Sequence, residues 1–449
     1  MATPVANSLA PAPASPSARG VGNASPGNPL LALVMLFSLM VPVFVDIGSF
    51  NLLPHRFYLL IFIIPMTLQL FSGKAGRVLI ADWLVLFVAY WSTQAYLMNG
   101  SFERVYQIAG SQFLEYWGGY VVGRVCIRSP QDLQKIIRVL FVTALCLAPL
   151  AAIESFSHRA IVFEFLGRVP ANDVRLGLRR AQTVFAHPIL YGTFIVALLG
   201  MVWYAYQPAA SLMKRILFAF LIFATSFFAL SAGPLLAYII QAGSIGYEMM
   251  MKKNPRRWTF LIVGTVTGYI ALDMITAGNP IIVLIAILTF NPESSYTRVL
   301  IFEHGMNNVY ANPVFGLGQR RWERLWYMTA SIDNWWLSTA MWFGVPAFAA
   351  QAFTFFWAIR RWSMVNLEGP LANACRAGLL TSLTGIVVVG VTVHYWNTML
   401  VYVMFLVGSG MWMLAPPRGQ SPIQPTVAQV ADEPADSEKP KFVPYGREA

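Results

Sequence analysis

The sequence predicts an all-α polytopic membrane protein with about 12 transmembrane helices. Hydrophobic residues make up 57% of its 449 positions and charged residues only 11%, less than half of the roughly 25% found in soluble domains. Apolar runs of about 20 residues recur along the chain, and each is long enough to cross a hydrocarbon layer of roughly 30 Å. These observations exclude an ordinary soluble enzyme.

The apolar runs define the predicted spans and the two tails. Residues 1–28 and 415–449 are Pro-rich and without periodicity, which predicts disordered tails; the first lacks the apolar core of a secretory signal. Residues 29–414 form one transmembrane domain. Its predicted spans are 29–47, 57–72, 78–96, 105–123, 137–154, 188–206, 216–231, 233–250, 258–277, 336–358, 377–393 and 396–414.

The basic residues predict the orientation of these spans. Clusters of lysine and arginine fall on alternate loops, which the positive-inside rule assigns to the cytoplasm. Both tails are then cytoplasmic, and the two long loops, 155–187 and 278–335, lie outside. The second separates the ninth and tenth spans. This rule accounts for most of the net charge of +11, so no nucleic-acid partner is expected.

The basic residues on the predicted outer side are all arginines, whereas all seven lysines are predicted inside. Arginine pairs bidentately with phosphate and carboxylate groups, which favours an anionic ligand outside; a general preference for arginine in solvated loops is the alternative. The outer arginines are Arg56, Arg104, Arg159, Arg168, Arg175, Arg179, Arg180, Arg298, Arg320, Arg321 and Arg324.

Any chemistry is expected on the outer side. The cytoplasmic loops are short, and the sequence contains neither a P-loop nor a dinucleotide-binding motif. An activated donor outside would be lipid-linked, and a lipid diphosphate is the anion that clustered arginines suit. The three cysteines show no disulfide or metal spacing, and no cofactor is expected.

The first long loop ends in candidate binding residues. Arg179 and Arg180 either bind substrate or extend to lipid phosphate at the membrane boundary. His187 precedes Pro188 at a predicted helix start, where it is either a helix cap or a general base.

The second long loop carries the remaining outer candidates. Residues 297–310 fit a short amphipathic helix, and the Pro and Gly residues of 313–318 predict a tight turn whose amides face a ligand. Its four arginines balance four acids, which predicts internal ion pairs. The candidates are Arg298, His304, Arg320, Arg321, Asp333 and Asn334.

Within the predicted spans, the carboxylates of Glu115 and Glu154 stand out, because ionisable groups inside a bilayer are costly and are paired or functional. We expect Glu115 to be held by an arginine of a neighbouring helix or to be protonated, and a transporter would use it as a proton relay. Glu154 is the second such residue. His394 lies near a span end and is interpreted as an interfacial residue.

Several short motifs occur in a characteristic order. They are Arg180 to His187-Pro188, Ser231-Ala232-Gly233, Ser294 to Arg298, Asn312 to Gly318, and Asp333-Asn334 followed by Gly344. With these motifs, residues 175–345 resemble the O-antigen ligase and polysaccharide polymerase superfamily of bacterial inner-membrane proteins.

The resemblance implies a metal-independent glycosyltransferase that moves glycans from undecaprenyl diphosphate at the periplasmic face. It implies that Arg180 and Arg298 hold the diphosphate, with Arg179, Arg320 or Arg321 assisting. Ligases of the superfamily carry His where this chain has Asp333, and the Asp-Asn version is similar to that of the polymerases.

A polymerase of lipid-linked repeat units is therefore expected, making exopolysaccharide, capsule or O-antigen. Asp333, or else His304, would be the general base. Membrane lipid, a chain-length regulator and a flippase are the expected partners. The alternatives are an O-antigen ligase and, in another class, a transporter or flippase of lipid-linked glycans.

Overall fold

The computed structural model of the chain describes residues 27–43, 45–47, 50–254, 256–275 and 292–415. The predicted tails, apart from residues 27, 28 and 415, lie outside the described residues. So does the first part of the loop 278–335, up to residue 291.

The described chain is predominantly α-helical, which confirms the predicted fold class. In the described ranges the β-structure consists of two short antiparallel hairpins, β1–β2 (Val45–Ile47 and Phe50–Leu52) and β3–β4 (Val174–Arg175 and Leu178–Arg179). The helices are α1 (Pro29–Ser38), α2 (Pro54–Phe71), α3 (Ile80–Asn99), α4 (Phe102–Cys126), α5 (Pro130–Ser157), α6 (Ile161–Phe165), α7 (Pro188–Val196), α8 (Leu198–Ala205), α9 (Leu212–Phe227), α10 (Ala232–Met251), α11 (Arg257–Ile275), α12 (Pro292–Ala311), α13 (Trp335–Met364), α14 (Pro370–Val389) and α15 (Thr398–Ser409).

Five helical segments of the described chain are long and apolar enough to cross a membrane: α2, α5, α7 with α8, α13 and α14. A protein with these segments belongs in a membrane. Each predicted span overlaps a helix, but the number of 12 spans and the outer position of the long loops stay predictions.

Close contact between two helix backbones defines the centre of the bundle. Helix α4 packs along α15, and also against α3 and α2. A Cβ atom added to Gly119 would lie 2.5 Å from the carbonyl oxygen of Val401, and one added to Gly123 would lie 2.3 Å from that of Phe405. These glycines form a small-xxx-small pair, which lets helices in a membrane approach each other closely.

Helix α13 is broken at Gly344, whose φ of 82° is not helical. The break leaves carbonyl groups without helical partners, and the loop before α13 supplies donors for them. The N–H groups of Leu317 and Gly318 donate to the carbonyls of Met341 (2.8 Å) and Trp342 (2.9 Å). The amides predicted to face a ligand are therefore occupied by α13, which pins the first turns of that helix.

Candidate functional site

A buried glutamate holds the loop that carries Arg179 and Arg180. The carboxylate of Glu154, near the end of α5, accepts hydrogen bonds from the backbone N–H groups of Thr183 (2.7 Å) and Gln182 (3.3 Å). Thr183 has a φ of 51°, a left-handed conformation that is strained for a β-branched residue. The two hydrogen bonds offset this strain, so Glu154 positions the loop.

The hairpin β3–β4 lies directly before the two arginines. Leu176 and Gly177 at its turn both have positive φ, as a type I′ turn requires. The Arg179 side chain is buried, donates to the Asn172 side chain at 3.0 Å and has its Nε 4.0 Å from the carboxylate of Glu154. Arg179 therefore braces the loop from within.

The Arg180 guanidinium is buried, and its hydrogen-bonding capacity is incompletely used. Its Nη1 donates to Asp173 at 2.6 Å and its Nε to the carbonyl of Ala229 at 3.1 Å. Within the described ranges, its Nη2 is buried without a hydrogen-bond partner. Burial lowers the pKa of Arg180, and nearby Arg175 lowers it further. Because arginine stays protonated in proteins, the site favours a bound anion.

The Asp333 carboxylate acts electrostatically on several of the candidate residues. It favours the charged form of four basic side chains, and all four therefore lie within its electrostatic reach: Arg180, Arg298, His187 and His394. Arg180 comes from the first long loop, Arg298 from α12, and Asp333 from the segment just before α13. Three distant parts of the chain thus meet at one place, hereafter the Asp333 cluster.

Arg175 adds to this cluster, although sequence analysis did not select it as a site residue. Its charge opposes the charged forms of Arg180, Arg298 and His187. Like charges held together destabilise one another, which strengthens the preference for an anion. Sequence analysis included Arg175 only among the arginines predicted outside, and that assignment does not predict which residues it approaches.

His187 caps α7, and this contact determines which ring nitrogen carries the proton. Its Nδ1 accepts a hydrogen bond from the backbone N–H of Ile189 at 3.2 Å, so the neutral ring carries its proton on Nε2. Burial lowers the pKa of His187, and Arg180 lowers it further. The neutral ring therefore presents a donor, which suits binding of an anion better than proton abstraction.

Asn334 is a helix cap next to Asp333, whereas His304 lies on the same helix as Arg298. The Asn334 side chain caps α13 by accepting from the N–H of Leu337 at 2.9 Å, and it thereby orients the preceding Asp333. His304 follows Arg298 by six residues on α12, about 1.7 helical turns, so the two side chains point to different faces.

Arg320 and Arg321 are placed differently from each other. The Arg320 guanidinium donates to the Asn312 side chain (2.8 Å) and to the carbonyl of Gly316 (3.3 Å), and so braces the turn before α13. Arg321 is exposed.

A cavity of about 350 Å³ adjoins the Asp333 cluster, with His394 in its wall. This volume is within the range of small-molecule sites, which combine aromatic walls with a few placed polar groups. Its aromatic wall includes Trp335, Trp342 and Trp396. The cavity is lined by the first turns of α2, α13 and α15, the middle of α4 and the second half of α3.

Glu115 lines the cavity, and its negative charge is paired with basic side chains. Its carboxylate accepts from Arg56 Nε at 2.7 Å and lies 3.4 Å from His55 Nε2. Arg56 also donates to the Asn397 side chain at 3.2 Å. Asn397 has a φ of 46°, and strain of this kind is concentrated at functional sites. The arginine of a neighbouring helix expected for Glu115 is thus Arg56.

His394 was interpreted as an interfacial residue, but the structure places it in the cavity wall. Its ring stacks on Trp396 with centroids 5.8 Å apart, and Asp333 acts on it electrostatically. Burial lowers the pKa of His394 to about 4, so the ring is neutral at neutral pH. A single histidine beside aromatic residues belongs to no motif of characteristic spacing, so this position could not be predicted from the sequence.

In comparisons with known proteins, neither a family model nor a curated protein sequence matches the chain. The functional conclusion therefore depends on the geometry of the site and on the motif order.

Proposed function

We propose that the protein is a metal-independent glycosyltransferase that polymerises oligosaccharide repeat units carried on undecaprenyl diphosphate. The reaction would take place at the periplasmic face of the bacterial inner membrane. The observation that carries this proposal is the convergence of Arg180, Arg298 and Asp333 from three separate segments.

The chemistry of these groups fits transfer from a diphosphate. Arg180 and Arg298 bind the diphosphate of the donor and stabilise the charge that develops as it leaves, which is where preorganised cations contribute most. Asp333 accepts the proton of an acceptor hydroxyl, a contribution of about 10²–10⁴ in rate. The hydroxyl oxygen bonds to the anomeric carbon, and the diphosphate departs with the electron pair of the broken bond.

The paired state of Glu115 favours an enzyme over a transporter. A carrier concentrates functional charge and broken helices near the bilayer midplane, and Glu115 was the sequence feature on which that alternative depended. Its ion pair with Arg56 suits a structural charge better than a proton relay. Ligase and polymerase share the donor chemistry and differ in the acceptor.

The test is the size profile of surface and lipid-linked glycan in a strain that lacks the gene and carries complementing variants. We expect Arg180→Ala, Arg298→Ala and Asp333→Asn to abolish long chains while single repeat units accumulate on the carrier. Arg159→Ala is the matched control, because Arg159 is an exposed arginine of the same long loop as Arg180 and pairs with Glu164.

Each other outcome selects a different function. Long chains that remain on the lipid carrier would assign the protein as a ligase. An unchanged glycan profile in the deletion strain would refute glycan transfer and leave transport as the alternative. Variant levels must be compared by immunoblot, since loss of the protein would mimic loss of activity.

A further inference from the structure

The cavity beside the Asp333 cluster has the properties of a sugar site. Its volume of about 350 Å³ corresponds to about 12 water molecules at about 30 Å³ each, which is enough space for one hexose ring with its substituents. Trp335, Trp342 and Trp396 offer flat apolar faces, and Ser111, Gln112 and His394 offer hydrogen-bonding groups. An isoprenyl chain would use only the first of these two sets.

The hydrogen bonds around His394 assign its free nitrogen as an acceptor. The Ser338 hydroxyl donates its only proton to the carbonyl of Trp335 at 2.9 Å. Its oxygen therefore accepts the second contact, which comes from Nδ1 of His394 at 2.9 Å. With the proton on Nδ1, the Nε2 atom carries a lone pair, and it has no hydrogen-bond partner among the described residues.

Two histidines of opposite tautomer thus meet at Trp396. The His187 ring lies 5.7 Å from the Trp396 ring and presents an N–H, whereas the His394 ring lies 5.8 Å from it and presents a lone pair. A donor suits the anionic leaving group, and an acceptor suits a neutral hydroxyl.

We propose that this cavity binds the terminal sugar of the acceptor glycan, and that Nε2 of His394 accepts a hydrogen bond from a sugar hydroxyl next to the one that attacks. The inference rests on the proposed function for the fate of the attacking hydroxyl, whose proton passes to Asp333. The arginines hold the donor diphosphate, so donor and acceptor occupy separate, adjoining parts of the site.

The matched test fills the cavity without disturbing the arginines. Ser111 lines the cavity on α4, whereas the adjacent Gly110 is exposed and a Cβ atom there meets nothing within 4 Å. Ser111→Phe therefore places a ring in the cavity, and Gly110→Phe places the same ring outside it. His394→Leu and His394→Gln form a second pair, since the glutamine amide retains an acceptor near the position of Nε2.

Two probes report on the two parts of the site in the purified full-length protein. Glucose, galactose, mannose and N-acetylglucosamine probe the cavity by saturation-transfer NMR, and sugar-free undecaprenyl diphosphate in nanodiscs probes the arginines. We expect Ser111→Phe to lose the sugar signal and to retain diphosphate binding, whereas Arg180→Ala does the reverse. Gly110→Phe keeps both signals, and His394→Gln keeps more of the sugar signal than His394→Leu.

The outcomes separate this inference from the proposed function. Absence of a sugar signal in the unmodified protein, or equal signals in Ser111→Phe and Gly110→Phe, overturns the cavity assignment. Loss of diphosphate binding in Ser111→Phe overturns it as well, because the donor would then occupy the cavity. A sugar signal that depends on the cavity, without any diphosphate binding, supports the sugar site and refutes the proposed function.

Discussion

The carboxylate of Glu154 lies 2.7 Å from the backbone nitrogen of Thr183 and accepts its hydrogen bond. The Thr183 backbone is left-handed, so the Glu154 side chain determines the path of the last part of the segment that joins α5 to α7. Arg180, three residues before Thr183, depends on that path for its place in the Asp333 cluster. Under the proposed function, a buried acid in a helix thus acts on a reaction that it does not touch.

Replacement of Glu154 tests this dependence. Glu154→Leu leaves two buried N–H groups without an acceptor, at a cost of about 1–3 kcal/mol each, and we expect shorter polymer at normal protein levels. Glu154→Gln retains one oxygen acceptor and should keep more activity. Chain length on gels and thermal unfolding in detergent are the measurements; equal activity of both variants and the unmodified protein would contradict the positioning role.

A second prediction concerns the α4–α15 contact. Gly123→Ala places a methyl group 2.3 Å from the Phe405 carbonyl oxygen, and overpacking of this kind costs about 1–3 kcal/mol. We expect a lower melting temperature in detergent. Gly110→Ala on the same helix meets nothing within 4 Å and should leave it unchanged or raise it. A Gly123→Ala protein as stable as Gly110→Ala would show that the helices can separate without cost.

The broken helix α13 gives a third prediction. Gly344→Ala is doubly unfavourable, because φ is 82° and the new Cβ would lie 2.0 Å from the carbonyl oxygen of Val314. The first turns of α13 must shift, and Asp333 shifts with them, so we expect loss of polymer at measurable protein levels. Gly268→Ala, in open space on α11, is the control. Full activity of Gly344→Ala would mean that Asp333 is placed by other contacts.

A fourth prediction follows from the low pKa of His394. Burial shifts this pKa from 6.5 to about 4, so the unfolded chain takes up a proton near pH 6.5 and the folded chain only near pH 4. The free energy of unfolding is therefore largest above about pH 6.5 and falls as the pH drops towards 4. The loss is on the order of 3 kcal/mol, and the lowered pKa of His187 acts in the same direction.

His394→Gln should flatten this pH dependence. Unfolding in detergent, followed by tryptophan fluorescence at several pH values between about 7 and 4, measures the slope. Parallel slopes for the variant and the unmodified protein would show that other groups cause the acid instability.

The Arg56–Glu115 pair gives a fifth prediction. Removing one partner of a buried ion pair costs about 3–5 kcal/mol, because the other charge is left uncompensated. We expect Glu115→Gln to destabilise the protein strongly and the combined Arg56→Gln, Glu115→Gln variant to be less destabilised. A Glu115→Gln protein that folds stably, but has lost an activity driven by a proton gradient, would instead favour transport.

The helices could be predicted from sequence because hydropathy and proline placement are local signals. The selection of Arg180, Arg298 and Asp333 depended on their residue types and motif order, and the structure brings these three within electrostatic reach. His394 and Arg175 were not selected, because their roles arise from contacts between distant segments. Likewise, the amides of Leu317 and Gly318 were predicted to face a ligand. That prediction was wrong because no local sequence signal shows that α13 breaks beside them.

The glycine contact between α4 and α15 has a mechanical consequence. Two helices whose backbones touch at Gly119 and Gly123 move together as one rigid unit. Glu115 and Asn397 belong to this unit and keep their relative positions. Helix α13 packs mainly against α3 and α12 rather than against this pair, so α13 can move relative to the pair without separating α4 from α15. Under the proposed function, we expect a cross-link between α13 and this pair to stop polymer synthesis, whereas a cross-link between α4 and α15 should leave it unchanged.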